Sequence, residues 1–168
     1  IQWDVCQEIL IFNNYFPNRS KNYKDEVFSQ LARIGNIIPT DVELGYHMCY
    51  GSPGDDHIIK PKDFSMSVEF ANGIFDYIDR SVEFIHLPGT YGQPGSEFYK
   101  PLKDLRMPQN CEIYLGLIFF DDIEGDSKRI ANARKVLPNF GISTVCGWGR
   151  GSPERVKSLL NSHKMSLS

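Results

Sequence analysis

No hydrophobic run in this chain is long enough to cross a membrane. The longest, Ile113–Phe120, has eight residues and stops at Asp121-Asp122, whereas a spanning helix needs about 20. Charge of one sign is also lacking. Lys and Arg number 18 against 21 Asp and Glu, a net charge of −3. There is no basic stripe, so the electrostatic footprint of a nucleic-acid binder is absent. Cysteine is sparse: Cys6, Cys49, Cys111 and Cys146 lie far apart. They lack the spacing of a secreted disulfide module and are expected as reduced thiols in a cytoplasmic setting. No Gly-x-Gly-x-x-Gly follows a strand and opens a helix. Gly147-Trp148-Gly149-Arg150-Gly151 is glycine-rich without that spacing and reads as a tight strand-to-helix turn rather than a phosphate cradle. Asn18-Arg19-Ser20 matches a glycosylation acceptor, a tripeptide that chance supplies often. The chain opens on Ile1 and runs straight into an apolar segment. This is the expectation for a piece of a longer protein, in which the lack of a leader carries no information.

What is present is an ordinary globular composition. With 168 residues, 41% of them hydrophobic, the chain is expected to be a single domain over 1–168 with a real core. Short apolar runs alternate with amphipathic stretches. Strands are expected at Ile1–Val5, Val42–Tyr50, Val82–Leu87, Ile113–Phe120 and Ile142–Cys146. Helices are expected over Tyr23–Ile34, over Asp63–Ile78, after an Asp126-Ser127 cap with Ile130, Ala133 and Leu137 inward, and from Ser152-Pro153-Glu154 onward, fraying after His163. Thr90–Leu105, rich in Gly, Pro and Tyr, reads as a long loop with room for one helical turn. Strand–helix alternation implies α/β architecture and a parallel sheet. A doubly wound sheet and a (β/α)8 barrel both fit the order, but five strand units are too few to close a barrel.

In parallel α/β folds the working residues gather at the carboxyl ends of the strands. Each expected strand here ends in a polar or reactive residue: Asp4, then His47 and Cys49, then His86, then Asp121-Asp122, then Cys146. His-x-Cys in an extended segment puts an imidazole and a thiol on one face, about 7 Å apart along the strand. With Cys146 they form a candidate zinc site, since thiolate and imidazole suit that ion. A lone histidine or cysteine is more often a packed core residue, so the argument rests on the set. Cys6 and Cys111 read as packing residues and His57 as a loop residue. Asp121-Asp122 reads as a strand terminator. Asp4, an acid in an apolar run, is costly to bury unless it binds something polar.

At these residues the chain resembles the C-terminal catalytic barrel of cobalamin-independent methionine synthase and the uroporphyrinogen-decarboxylase-like proteins related to it. Ile1-Gln2-Trp3-Asp4 is similar to that family's Ile-Gln-x-Asp strand, whose aspartate holds the amino group of an amino-acid thiol. His47-Met48-Cys49-Tyr50 is similar to its His-x-Cys zinc motif, and Val145-Cys146-Gly147 to its last-strand Cys-Gly ligand. The resemblance implies strands four to eight of a (β/α)8 TIM-type barrel, with the first three missing. It implies zinc held by His47, Cys49 and Cys146, Asp4 as a substrate anchor, and a methyl group passed from a donor to a small-molecule thiol. Three departures mark a divergent relative. His86 stands about where the family has a ligating glutamate. Val5 replaces the acid after the first-strand aspartate. Gly147-Trp148-Gly149-Arg150 is an unfamiliar sequel. Histidine also ligates zinc, so His86 is the expected fourth ligand. Two rival readings keep the barrel. One is a zinc-free uroporphyrinogen-decarboxylase-like lyase binding carboxylates through Asp4, His86 and Arg150. The other is a truncated, non-catalytic fragment whose partner is the missing N-terminal half.

Overall fold

The structure, a computed structural model, describes residues 1–52, 56–92 and 94–166, without the Arg150 side chain. Five strands make one parallel sheet: β1 (Gln2–Asp4), β2 (Gly45–His47), β3 (Phe84–Pro88), β4 (Glu112–Ile118) and β5 (Gly141–Thr144). Their spatial order is β1-β2-β3-β4-β5. This order decides between the two architectures that strand–helix alternation left open, in favour of the one the resemblance implied. A doubly wound sheet reverses direction at a switch point, whereas each strand here is laid down beside its predecessor on the same side. The chain is an arc of a (β/α)8 TIM-type barrel.

The helices are α1 (Cys6–Phe12), α2 (Tyr23–Asn36), α3 (Ser65–Tyr77), α4 (Ile123–Arg134) and α5 (Pro153–Ser166). A 3₁₀ helix, Ser96–Asp104, takes the place of an α-helix between β3 and β4. In α2, Asp25 and Glu26 in the first turn and Arg33 in the last suit the helix dipole, while Val27, Phe28 and Leu31 form the buried stripe. Pro153 opens α5 with Glu154 beside it, the expected start.

Side-chain parity divides the sheet into two faces. Tyr46, Ile85, Leu87, Ile113, Leu115 and Leu117 share one core with Ile9, Phe28, Leu31, Val68, Ile130 and Leu159 of the helices. The Tyr46 hydroxyl donates to the Leu31 carbonyl at 3.1 Å, tying α2 behind β2. The opposite parity supplies the concave face. Its register rows run Gln2, Gly45, Phe84, Glu112 and, two residues on, Asp4, His47, His86, Tyr114, Gly141. A glycine makes room for a ring in each: a Cβ on Gly45 would fall 2.2 Å from the Phe84 ring, and one on Gly141 2.4 Å from the Tyr114 ring. Two cavities, of about 480 and 410 Å³, open on this face and share Gln2, His86 and Ser143.

Four details differ from the sequence expectation. The seven residues of α1 were not anticipated; the helix is held through Phe12, whose ring meets Phe28 and Phe70 edge-on at 5.3 and 4.8 Å. Each such contact is worth about 0.5–1.5 kcal/mol, which a short apolar helix needs. The second strand ends at His47, so Cys49 lies just beyond it. The N-cap of α4 is Asp122, not Asp126, which points into the protein. The last helix continues past His163 to Ser166, where Ser166 Oγ donates to the Ser162 carbonyl at 2.8 Å.

Candidate metal centre

Register places Asp4, His47 and His86 side by side on β1, β2 and β3. The chain beyond β2 stays anchored to its neighbours, with Val5 N–H donating to the His47 carbonyl and Met48 N–H to the His86 carbonyl, both at 3.0 Å. Cys49 therefore projects just above His47. Cys146 arrives from the end of β5. Its backbone is fixed by Thr144, whose hydroxyl donates to the Cys146 carbonyl at 2.8 Å and accepts from Trp148 Nε1 at 2.8 Å. The Cys49 and Cys146 sulfurs are 3.8 Å apart. One donor atom each from His47, Cys49 and Cys146 lie within 4.8 Å of one another, and all three residues are buried. Residues separated by about a hundred positions thus meet at one mouth of the sheet.

The two thiols share a charge. Cys146 is drawn well below the ordinary thiol range, first by its hydrogen bond with Cys49, then by His47 and by the Gly147 amide. Cys49 is pushed up, because the neighbouring Cys146 keeps the proton on it and burial adds to this. The Gly51 amide turns toward Cys49 as Gly147 does toward Cys146. Gly51 has a φ of +65°, a conformation that suits glycine. Backbone N–H groups aimed at sulfur stabilise thiolate. A glycine shortly after each cysteine is a signal that the sequence carried but that points to this role only once the fold is known.

His86 lies against His47. Their Nδ1 atoms are 2.6 Å apart, and the rings stack at 4.6 Å and 15°. Burial, then His47, holds the His86 imidazole far below its usual range, at about 3. The Nε2 atoms of both rings are buried without a hydrogen-bond partner among the described residues. His86 does not belong to the group of mutually close donors. Asp4 is exposed, and one carboxylate oxygen accepts the Cys6 amide at 3.1 Å.

The sulfur of Cys6 faces Cys49, and the residue packs beside the Cys49–Cys146 pair. Sequence reasoning had set it aside as a packing residue, since nothing in its spacing links it to Cys49. Cys111 sits at the opposite end of the sheet, half buried against the core. His57 is buried: its Nδ1 is 2.5 Å from Ser52 Oγ and its Nε2 2.6 Å from the Gly89 carbonyl, so it pins the loop after β2 to the exit of β3. Gly54 and Asp55, which precede it in the loop reading, lie outside the described residues. So does the Arg150 side chain on which the lyase reading drew.

Asp121 and Asp122 divide. Asp121 turns the chain at φ +55°. Asp122 Oδ2 accepts from Arg129 at 2.9 Å. Arg129 is fully buried, and it also donates to Asp126, to the Leu117 carbonyl at 2.8 Å and to the Gly92 carbonyl at 2.6 Å. This second polar cluster was not anticipated, because Arg129 reads as a surface position in a polar helix.

The donor set fits a soft to borderline divalent ion. Two sulfurs, one of them thiolate in character, and an imidazole nitrogen left without a partner make the combination that zinc prefers. No helix among the described residues is long and apolar enough to cross a membrane.

No family model and no curated protein sequence matches the chain. Its fold is similar to the solved structure of a B12-independent methionine synthase from Shewanella sp. W3-18-1 in complex with selenomethionine. The TM-score is 0.66 at 17% identity, over 99% of this chain and 46% of that one. The chain therefore spans about half the length of that protein. At this identity the likeness establishes the architecture: the five strands and their helices form an arc of the α/β barrel found in that methionine synthase.

Proposed function

We propose that this chain is the metal-binding part of a zinc-dependent enzyme that transfers a methyl group to a small-molecule thiol. The observation that carries the reading is the meeting of His47, Cys49 and Cys146 within 4.8 Å at the carboxyl end of a sheet with this fold. His47, Cys49 and Cys146 would hold the ion. Zinc in such a site supplies a Lewis acid that makes a bound thiol nucleophilic near neutral pH. The chain's own groups do the rest. The Gly51 and Gly147 amides favour the thiolate form of the two sulfurs, the form that binds a metal. Asp4, exposed and level with His47, offers a carboxylate to the ammonium group of an amino-acid thiol. The concave face gives the acceptor a cavity of about 410 Å³ lined by His47, His86, Cys146 and Trp148.

In the same reading, residues 1–168 form one domain, an incomplete barrel that acts in the cytoplasm. The strands that close the arc belong to the rest of a longer protein. Two open sheet edges would otherwise invite pairing with other chains.

Metal analysis is the test. Protein produced with zinc and passed over a desalting column should retain close to one zinc per chain. Cys49→Ser and Cys146→Ser should each lose it. A wild-type preparation with under about 0.1 zinc per chain ends the reading, given how tightly thiolate sites hold this ion. Methyl transfer to an amino-acid thiol that survives both serine variants would favour a zinc-free mechanism.

A further inference from the structure

The unusual feature of the site is the second histidine. His47 and His86 face each other through Nδ1 at 2.6 Å, deep in the sheet. Two nitrogens at this distance share one proton, so one ring donates and the other accepts. If His86 donated, a neutral His47 would carry its proton on Nε2 and have no lone pair there for a metal. If His47 donates, its Nε2 is an unprotonated nitrogen, buried and without a partner. A metal-binding His47 requires the second case. His86 then carries its proton on Nε2 and accepts at Nδ1, and the Thr144 carbonyl is near that nitrogen: a Cβ on Gly116 would be 2.9 Å from the one and 3.1 Å from the other.

We propose that His86 is a positioning residue, which orients His47 by accepting its Nδ1–H, and that it does not ligate the metal. The inference rests on the zinc reading above and deepens it. The site then offers one imidazole and two sulfurs, the three-donor pattern that leaves a fourth place for a substrate. Metal-bound histidines almost always donate their second N–H to a fixed acceptor; here a neutral imidazole fills that place. The His86 ring is boxed in by its stack on His47 at 4.6 Å and by the backbone near Gly116. Reaching the ion would break the Nδ1 contact that holds His47. The cavity beside His47 and Cys146 would then be left to an incoming thiol.

X-ray absorption on the full chain loaded with zinc reads the coordination directly. One imidazole and two sulfurs are expected; two imidazoles would overturn the proposal and leave the zinc reading standing. His86→Gln, whose amide oxygen can accept from His47, should hold zinc within about threefold of wild type, whereas His86→Leu should weaken it roughly 10–100-fold. With cobalt(II) in place of zinc, the sulfur-to-metal absorption should keep its intensity in both variants. Equal losses in the Gln and Leu variants, with a changed cobalt spectrum, would make His86 a ligand. Should neither variant fold, the wild-type imidazole count decides. A wild-type chain that takes up no metal sinks the zinc reading, and this inference with it.

Discussion

The carboxyl end of the sheet carries two buried polar clusters, His47–Cys49–His86–Cys146 on the concave side and Asp122–Asp126–Arg129 between β4 and α4. Both bring costly groups out of water. They differ in what they leave unmet. The nitrogens of Arg129 go to two carboxylates and two backbone carbonyls, and Asp126 Oδ1 also takes the Phe119 amide at 2.9 Å. In the other cluster, both Nε2 atoms lack a partner and two sulfurs crowd at 3.8 Å. A cluster closed on itself holds the fold; one with donors left over, beside a cavity, is shaped for something that is not protein. Asp126 Oδ2, also without a partner, faces no such cavity among the described pockets.

A crossed pair of substitutions tests this contrast most strongly. Arg129→Met leaves Asp126 buried without its cation and should cost about 3–5 kcal/mol of folding stability, read by urea denaturation of the metal-free protein. Cys146→Ser should cost the metal-free protein less than about 1 kcal/mol, as a near-isosteric change in a half-satisfied cluster. Zinc retention should reverse the order: lost in Cys146→Ser and kept by folded Arg129→Met. Adding Asp126→Leu to Arg129→Met should recover part of the loss, since an apolar replacement removes the stranded acid. If Arg129→Met were harmless and Cys146→Ser unfolded the metal-free chain, the roles assigned to the clusters would be inverted.

The two clusters were also unequally legible. Cys49 and Cys146 stood out because strand ends in parallel sheets face one mouth, so parity and strand position alone brought them together. Strand–helix alternation alone left the order of the five strands open, and with it the choice between barrel arc and doubly wound sheet; the resemblance at Asp4, His47, Cys49 and Cys146 pointed to the barrel, as the strand order bears out. Arg129 was invisible because two of its four partners, Gly92 and Leu117, are backbone carbonyls made available by a loop and a strand end. Helix α1 was missed because seven residues are too few to show a 3.6-residue period, and its stability comes from Phe12 packing on Phe28 and Phe70. Cys6 gained its place beside Cys49 only through that helix.

A smaller effect, at His57 beside the first cluster, is read by pH. Burial holds His57 below the ordinary histidine range, against an opposing pull from the Gly89 carbonyl. His57 therefore takes up its proton at lower pH in the folded chain than in the unfolded one, where a histidine does so near pH 6.5. Below that pH the unfolded state binds more protons, so stability falls as pH falls. One such group contributes a slope of up to about 1.4 kcal/mol per pH unit. His86, at about 3 when folded, adds to the slope in the same direction. His57→Gln should flatten the decline of metal-free stability between pH 6.5 and 5 without abolishing it. An unchanged slope would mean that His57 is already charged in the fold, and that the loop is not pinned through a neutral ring.

Asp4 sharpens the comparison from the other side, since it borders the unmet cluster yet is exposed. Among the described residues its hydrogen bond is to the Cys6 amide, at the start of a helix that is anchored elsewhere by Phe12. Asp4→Asn keeps that acceptor, so thermal unfolding should move by no more than about 0.5 kcal/mol, the range of an ordinary surface change. Zinc retention should stay at the wild-type level, because Asp4 is not among the mutually close donors. A carboxylate that only fills the rim would leave every assay unmoved. One that holds the ammonium group of an amino-acid thiol should lose a charged hydrogen bond worth about 1.5–3 kcal/mol, raising KM for that acceptor roughly 10–100-fold. The same substitution should leave KM unchanged for a thiol without an amino group. An equal rise for both acceptors would move Asp4 from substrate recognition to the general shape of the mouth.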